Sequence, residues 1–301
     1  MKKVVAFLLL VATAGLFHWM AQEKRPEVVR PDVHYVPTPK EVVDDMLAMA
    51  KVRPGDILYD LGCGDGRIVI TAARRWGIKG VGIEIDPKLV RESRRNAAKA
   101  KVADRVAFFE QDLFQTDFSD ATVIALYLLP ELNLRLRPKF FEELRPGSRV
   151  VSHSWDMGEW QADEARLSTP YWLEWFPDES TKRSQLFMWV IPANVSGIWK
   201  WREEDADAAW ELRITQCFQQ AQGVLIGPGG ERPARVVIAG DRIRITARGP
   251  DDKGSLVFEG KAAGDHLEGT ASFGSRPGSE IRPWKAARRP GTMKAIHQDK
   301  V

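Results

Sequence analysis

Asp60 stands two residues before Gly62, the first of three alternating glycines, Gly62, Gly64 and Gly66, in the stretch Ile-Leu-Tyr-Asp-Leu-Gly-Cys-Gly-Asp-Gly at 57–66. A chain leaving a buried strand brings its backbone close to a ligand only where no Cβ intervenes, so this spacing suits a loop that cradles a nucleoside cofactor. Apolar residues at 67–76 recur at helical spacing, which puts the loop between a strand and a helix, the context it requires. A dinucleotide fingerprint wants glycine at position 67, where Arg67 stands. The spacing is therefore Gly-x-Gly-x-Gly, and a nicotinamide cofactor is the weaker fit.

Further acids lie where such a cofactor needs them. Glu84 comes about two dozen positions after the loop, where a carboxylate accepts hydrogen bonds from both ribose hydroxyls and disfavours a 2′-phosphate. Asp112 can accept from an exocyclic amine, with Leu113 and Phe114 offering apolar contact to a ring. Asp60 suits a positively charged amino group. Each acid also has a plainer reading, as a helix cap or a solvated loop residue.

These residues need strands that end together. Apolar runs at 57–61, 80–86, 106–110, 121–128 and 149–153 alternate with helical patterns at 67–76, 87–100 and 131–144, which implies an α/β fold with a parallel sheet and helices on both faces. Ligands bind at the carboxyl ends of such strands, where Asp60, Glu84, Asp112 and Tyr127 all fall. Upstream, Thr38-Pro39-Lys40-Glu41 carries the marks of a capping box, with Pro39 at the first helical position. Two more strands are expected at 171–176 and 186–191, joined by a polar connection at 177–183. From 194 onward the pattern changes to short strands at 198–201, 209–215, 219–226, 235–238, 242–247, 255–259 and 266–272, separated by glycine turns. That grammar favours a small antiparallel sheet or barrel.

The motif Asp-Leu-Gly-Cys-Gly-Asp-Gly at 60–66, with Glu84 and Gln-Asp-Leu at 111–113, resembles the class I S-adenosylmethionine-dependent methyltransferases over residues 33–191. More narrowly, Tyr35-Val-Pro-Thr-Pro39 and Tyr-Asp-Leu-Gly-Cys-Gly-Asp-Gly-Arg-Ile-Val-Ile at 59–70 resemble bacterial relatives of the mitochondrial adenine nucleotide translocase and ATP synthase c-subunit lysine methyltransferases. The resemblance implies a Rossmann-like seven-stranded methyltransferase sheet and S-adenosyl-L-methionine as cofactor. It implies a cofactor site lined by Tyr35, Thr38, Asp60, Gly62, Gly64, Gly66, Glu84, Asp112 and Leu113, with Pro37 beside them, because in that family the N-terminal segment helps close the site. The acceptor it implies is a protein lysine or another amine. Tyr127-Leu-Leu-Pro130 stands where amino-methylating nucleic-acid enzymes carry Asn/Asp-Pro-Pro-Tyr, so no nucleic acid is expected. Methyl transfer from a sulfonium needs positioning more than covalent chemistry, and no catalytic residue is assigned. Tyr127 and His153 are the candidates, with Pro130, Glu131, Trp155 and Asp156 also on the acceptor side. Their position at strand ends is the warrant, and His153 reads more readily as a structural histidine.

The chain has 301 residues, enough for two domains. Its 44 basic and 41 acidic residues are too balanced to argue for nucleic acid or an anionic membrane. Cys63 and Cys217 suggest neither a disulfide framework nor a metal site. Lys2 and Lys3 precede an apolar run at 4–17, the order of an export signal or an uncleaved membrane anchor. The expected organisation is a signal or anchor at 1–21, an extended lead-in at 22–38, the cofactor domain at 39–193, an antiparallel β domain at 194–288 and a flexible tail at 289–301. That N-terminus argues for a periplasmic or membrane-anchored protein, whereas the cofactor argues for the cytoplasm. It also raises a second reading, an exported or envelope-associated binding protein that keeps the fold without turnover. The β domain faintly resembles lipocalin-like barrels; an aromatic plug closing it is the plain expectation, and a ligand cavity or a docking surface for the methylation target the sharper one.

Overall fold

The computed structural model describes residues 35–172, 181–203, 208–249, 254–274 and 281–297. The expected signal or anchor and most of the lead-in lie outside the described residues. No helix among the described residues is long and apolar enough to cross a membrane.

Helix α1 (Lys40–Met49) buries Val42, Val43, Met46, Leu47 and Met49. The capping box is not made: Pro39 is the N-cap residue, no side chain caps the helix, and the Thr38 hydroxyl turns instead to His153. Strand β1 (Ile57–Leu61) leads through the glycine loop into α2 (Arg67–Trp76), then β2 (Lys79–Glu84), α3 (Pro87–Lys99), β3 (Val106–Glu110), β4 (Val123–Leu126), α4 (Pro130–Glu143) and β5 (Arg149–His153). Strands β6 (Glu164–Leu167) and β7 (Gln185–Val190) complete a seven-stranded sheet of order β3-β2-β1-β4-β5-β7-β6. The first five strands pair in parallel. β7 runs antiparallel to both β5 and β6.

Period-two alternation sends side chains to two helical layers. Leu58, Val123, Ala125 and Val151 join the core under α1, α2 and α3. Leu61, Ile124, Leu126 and Val150 join Leu132, Leu136 and Phe140 of α4 on the other face. Beneath the amino ends of the strands, Arg149 pairs with the buried carboxylate of Asp56, which also accepts from the Thr122 hydroxyl at 2.8 Å.

The sixth strand differs from expectation. It lies at Glu164–Leu167, while Tyr171 makes only an isolated bridge to Lys182; residues 173–176 lie outside the described residues. Glu-Ala-Arg-Leu is an edge strand with three of four residues exposed, so it carries no apolar alternation to betray it.

Beyond β7, eight strands form a closed antiparallel barrel: β8 (Gly197–Arg202), β9 (Ala209–Cys217), β10 (Gln220–Gly227), β11 (Gly230–Ala239), β12 (Arg242–Arg248), β13 (Ser255–Ala263), β14 (His266–Gly274) and β15 (Ile281–Arg288). The sequence reading lacked β15, because Arg282, Pro283, Lys285 and Arg288 break its apolar pattern. This strand nevertheless closes the barrel by pairing Ala287 and Arg288 with Lys200 and Trp199 of β8. The interior is filled by aromatic rings: Trp201 stacks on Trp210 at 6.0 Å and meets Phe258 and Trp284 edge-on at 5.2 and 5.7 Å.

All described residues belong to one compact unit, and the barrel is wedged into the sheet domain. Phe218, at the β9–β10 turn, lies 5.7 Å from Phe141 of α4 and 6.2 Å from Trp160 and joins their core. Gln216 fastens the junction, donating to the carbonyls of Ala193 and Phe218 while its own carbonyl accepts from Val195 N–H. Residues 289–297, expected to be loose, are strapped down: Ser196 Oγ donates to Lys294 O, Phe218 N–H donates to Ile296 O, and His297 stacks on Phe141. Gly240 of the β11–β12 turn abuts Gly147, just before β5. The barrel thus meets the sheet at the amino end of β5, away from the strand ends that carry the glycine loop.

Candidate cofactor and acceptor site

The glycine loop is held by the strand beside it. Gly62 N–H and Cys63 N–H both donate to Ile83 O, at 2.8 and 2.9 Å, and Gly66 N–H donates to Cys63 O at 2.9 Å. Gly62, Gly64 and Gly66 have φ of +86°, +55° and +81°, values that disfavour any residue with a Cβ. Space forbids one too. A Cβ on Gly64 would fall 2.2 Å from the Tyr35 ring, one on Gly66 2.7 Å from Phe108, and one on Gly62 2.9 Å from Leu128.

Glu84 ends β2 and is 8 % exposed. Its Oε2 accepts from Gly64 N–H at 2.9 Å, and its Oε1 accepts from Ile85 N–H and Asp86 N–H at 2.8 and 2.9 Å. A carboxylate accepts about four hydrogen bonds, so capacity for a ribose hydroxyl remains. Asp60 is 2 % exposed, and its carboxyl is pushed up to about 8 by burial and by the neighbouring acids Glu84 and Asp65. Asp65 itself is gripped by Arg67 through two hydrogen bonds of 2.9 and 2.7 Å. Burial works against its charge, but the guanidinium wins and its carboxyl is held low. A buried carboxyl whose charged neighbours are acids calls for a cation, and the amino group and sulfonium of S-adenosylmethionine are groups of that charge.

Asp112 and Leu113 follow β3. The Asp112 carboxylate accepts from Phe114 N–H at 2.8 Å and from Gln115 Nε2 at 3.2 Å, bracing its own turn. Leu113 packs partly buried on the core under α4. Gln111 N–H donates to Glu84 O at 3.0 Å, which fixes this turn beside Glu84.

The segment at 35–39 lies across the loop as a strap. The Tyr35 ring covers Gly64, and its phenol is pushed up to about 12 by burial and by Asp65. Arg67 donates to Thr38 O at 2.8 Å. The strap then reaches the acceptor side, where Thr38 Oγ1 lies 3.3 Å from His153 Nδ1. The other imidazole nitrogen lies 2.7 Å from Ser184 Oγ, and that hydroxyl lies 2.7 Å from the Tyr171 phenol. Tyr127 stacks on the imidazole at 3.9 Å. His153 is 1 % exposed, and burial lowers its pKa to about 4, so the ring is neutral at ordinary pH.

Tyr127 and His153 therefore come together, and His153 reaches the strap through Thr38. Pro130 and Glu131 form the first turn of α4. Trp155 N–H donates to His153 O at 2.9 Å, but its side chain is 41 % exposed, and the Asp156 carboxylate accepts from Gly158 N–H at 3.0 Å, away from the imidazole. Asn133, wholly buried, holds their loop through the carbonyls of Trp155 and Asp156. Sequence reasoning missed Ser184 and Tyr171, which belong to no motif and reach His153 only through the fold.

A family model described as the ANTKMT methyltransferase domain matches residues 60–164. A protein-lysine N-methyltransferase of Saccharolobus islandicus is 47 % identical over 135 residues, covering 44 % of this chain and 84 % of that protein. The ATP synthase c-subunit lysine N-methyltransferase of Homo sapiens is 33 % identical over 129 residues, 43 % of this chain and 54 % of that protein. The match thus spans most of the Saccharolobus islandicus relative but about half the length of the human one. Among solved structures, an RNA methyltransferase from Salinibacter ruber in complex with S-adenosyl-L-homocysteine is 50 % identical, covering 57 % of this chain and 99 % of that one, with a TM-score of 0.46. The family match ends at residue 164, ahead of the barrel.

Proposed function

Since this chain belongs to the S-adenosylmethionine-dependent methyltransferase family that includes the protein-lysine N-methyltransferase of Saccharolobus islandicus, we propose that its methyl acceptor is the side-chain amine of a protein lysine. The observation that carries this reading is the neutral, aromatic wall of Tyr127 and His153, joined through Thr38 to the strap over the glycine loop. S-adenosylmethionine, when bound, supplies an activated methyl group on a sulfonium. Glu84 would accept from the ribose, Asp60 would face the amino group, and the loop N–H groups would lie along the rest. A lysine attacks only as the free amine, and a wall of neutral groups disfavours the ammonium form. Tyr127 faces that wall and His153, 1 % exposed, backs it; the imidazole, at a pKa of about 4, is a poor proton acceptor for an amine.

The test is labelling of a whole-cell extract with tritiated S-adenosylmethionine by wild-type and Glu84→Ala protein, followed by hydrolysis and amino-acid analysis. Label in methyl-lysine that disappears with the variant supports the reading. Label confined to RNA, or to another amino acid, overturns it. The location is a separate proposal. Lys2-Lys3 and the apolar run after them favour export or anchoring, which sequencing of the mature N-terminus and cell fractionation would decide.

A further inference from the structure

Four buried side chains form an unbroken polar chain between the cofactor strap and the sheet edge. Thr38, His153, Ser184 and Tyr171 are 4 %, 1 %, 7 % and 8 % exposed, and the links between them measure 3.3, 2.7 and 2.7 Å. A neutral imidazole offers one donor and one acceptor, so His153 satisfies both neighbours only when one hydroxyl gives and the other receives. Ser184 is in turn locked to the strand edge: its N–H donates to Ser168 Oγ at 2.9 Å, and Ser168 N–H donates back to Ser184 O at 2.8 Å. At the other end the strap is stiff, because Pro37 and Pro39 flank Thr38 and fix φ on both sides. Arg67 holds its carbonyl, and the Tyr35 ring lies on Gly64. Above the chain the Tyr127 ring stacks on the imidazole. Tyr171 is also close enough to Tyr127 to raise its phenol, second to burial as a cause. One imidazole therefore touches the strap and both tyrosines of the acceptor wall, Tyr127 by stacking and Tyr171 through the Ser184 hydroxyl.

We propose that His153 is a positioning residue that ties the strap at 35–39 to the acceptor wall of Tyr127, Ser184 and Tyr171, so that seating the cofactor and shaping the acceptor pocket are one event. The inference rests on the S-adenosylmethionine reading of the glycine loop. The strap cannot lift from Gly64 without drawing Thr38 from His153, and a displaced imidazole releases both Ser184 and the stacked Tyr127 ring. Buried polar groups left without partners are costly, which makes the closed arrangement cooperative.

Two substitutions separate the halves of the link. His153→Gln places an amide where Nε2 stands, keeping Ser184 and losing Thr38. His153→Asn places one where Nδ1 stands, keeping Thr38 and losing Ser184. S-adenosyl-L-homocysteine titrated by calorimetry reports the strap half without any acceptor. Thr38→Val and His153→Gln are each expected to weaken its binding about three- to tenfold, and the Thr38→Val/His153→Gln pair no further than either alone. His153→Asn is expected to bind it with near wild-type affinity, yet to incorporate less tritium into whole-cell extract at saturating cofactor. Unchanged affinity in folded Thr38→Val and His153→Gln, or additive losses in the pair, would overturn the coupling. Thr38→Val is close to isosteric and keeps the test readable should the histidine variants fold poorly. Failure of the wild-type protein itself to bind the probe would instead overturn the cofactor reading.

Discussion

The backbone N–H of Gly64 donates to Oε2 of Glu84 at 2.9 Å, so the acid expected to receive the ribose also props the loop expected to cradle the rest of the cofactor. Removing it should therefore harm more than one contact. Charge-assisted hydrogen bonds to a buried carboxylate contribute roughly 1.5–3 kcal/mol each. Glu84→Ala is expected to weaken S-adenosyl-L-homocysteine binding by on the order of tenfold to a hundredfold and to lower Tm in the absence of ligand. Wild-type affinity in the variant would remove Glu84 from the site.

Asp60 is expected to make cofactor binding a proton-linked event. Its folded carboxyl, raised from 3.8 to about 8, keeps its proton at pH 7. Between those two values the folded state holds more protons than the unfolded one, so this group's contribution to stability is present at low pH and is lost as pH rises through about 8. A cationic amino group set beside it lowers that pKa and expels the proton. Calorimetry at pH 7 in buffers of different ionisation heat should register proton release on binding. Asp60→Asn should abolish that release, weaken binding and raise the ligand-free Tm at pH 8. Identical heats in all buffers would count against this role.

His153 carries the opposite sign. Its pKa falls from 6.5 to about 4 through burial, so in that window the unfolded chain binds a proton that the folded protein refuses. Stability contributed by the neutral ring is full above 6.5 and declines as pH drops through the window, by on the order of 3 kcal/mol in all. Urea unfolding at pH 7 and pH 4.5 should show a smaller loss for His153→Gln than for wild type. Equal losses would mean that the ring is not held neutral.

Phe218 should matter to the sheet domain although it belongs to the barrel. It sits in the core of Phe141 and Trp160 with 4 % exposure, and Phe→Ala at such a site costs about 3–5 kcal/mol. Phe218→Ala is expected to lower Tm of the whole chain in a single transition, and deletion of 194–301 to leave the sheet domain poorly folded. Two separate melting transitions, or a stable and active truncated domain, would show that the barrel is only an appendage.

How much of this was legible beforehand depended on the range of the signal. The strands at 106–110 and 149–153 and the helix at 67–76 were placed residue for residue, because period-two and period-3.6 patterns are written in neighbouring positions. β6 and β15 were missed for the same reason, since edge exposure and a proline erased the local pattern while pairing with β7 and β14 rescued the strands. Thr38 shows a conflict between levels: its spacing to Glu41 spells a capping box, yet its hydroxyl turns to a histidine 115 positions away.

By itself the sequence determined the α/β alternation, the three glycines whose positive φ makes a close-approach loop, and the acids at the strand ends that point to S-adenosylmethionine. Only the tertiary structure decided that the strap crosses Gly64, that His153 links Thr38 to Ser184 and Tyr171, and that Phe218 locks the barrel to the end of the sheet away from the loop. The physical reason is one of distance along the chain. Backbone preference and hydrophobic period act over a few residues and leave their mark in order, whereas a hydrogen bond between buried side chains depends on which segments cross in space.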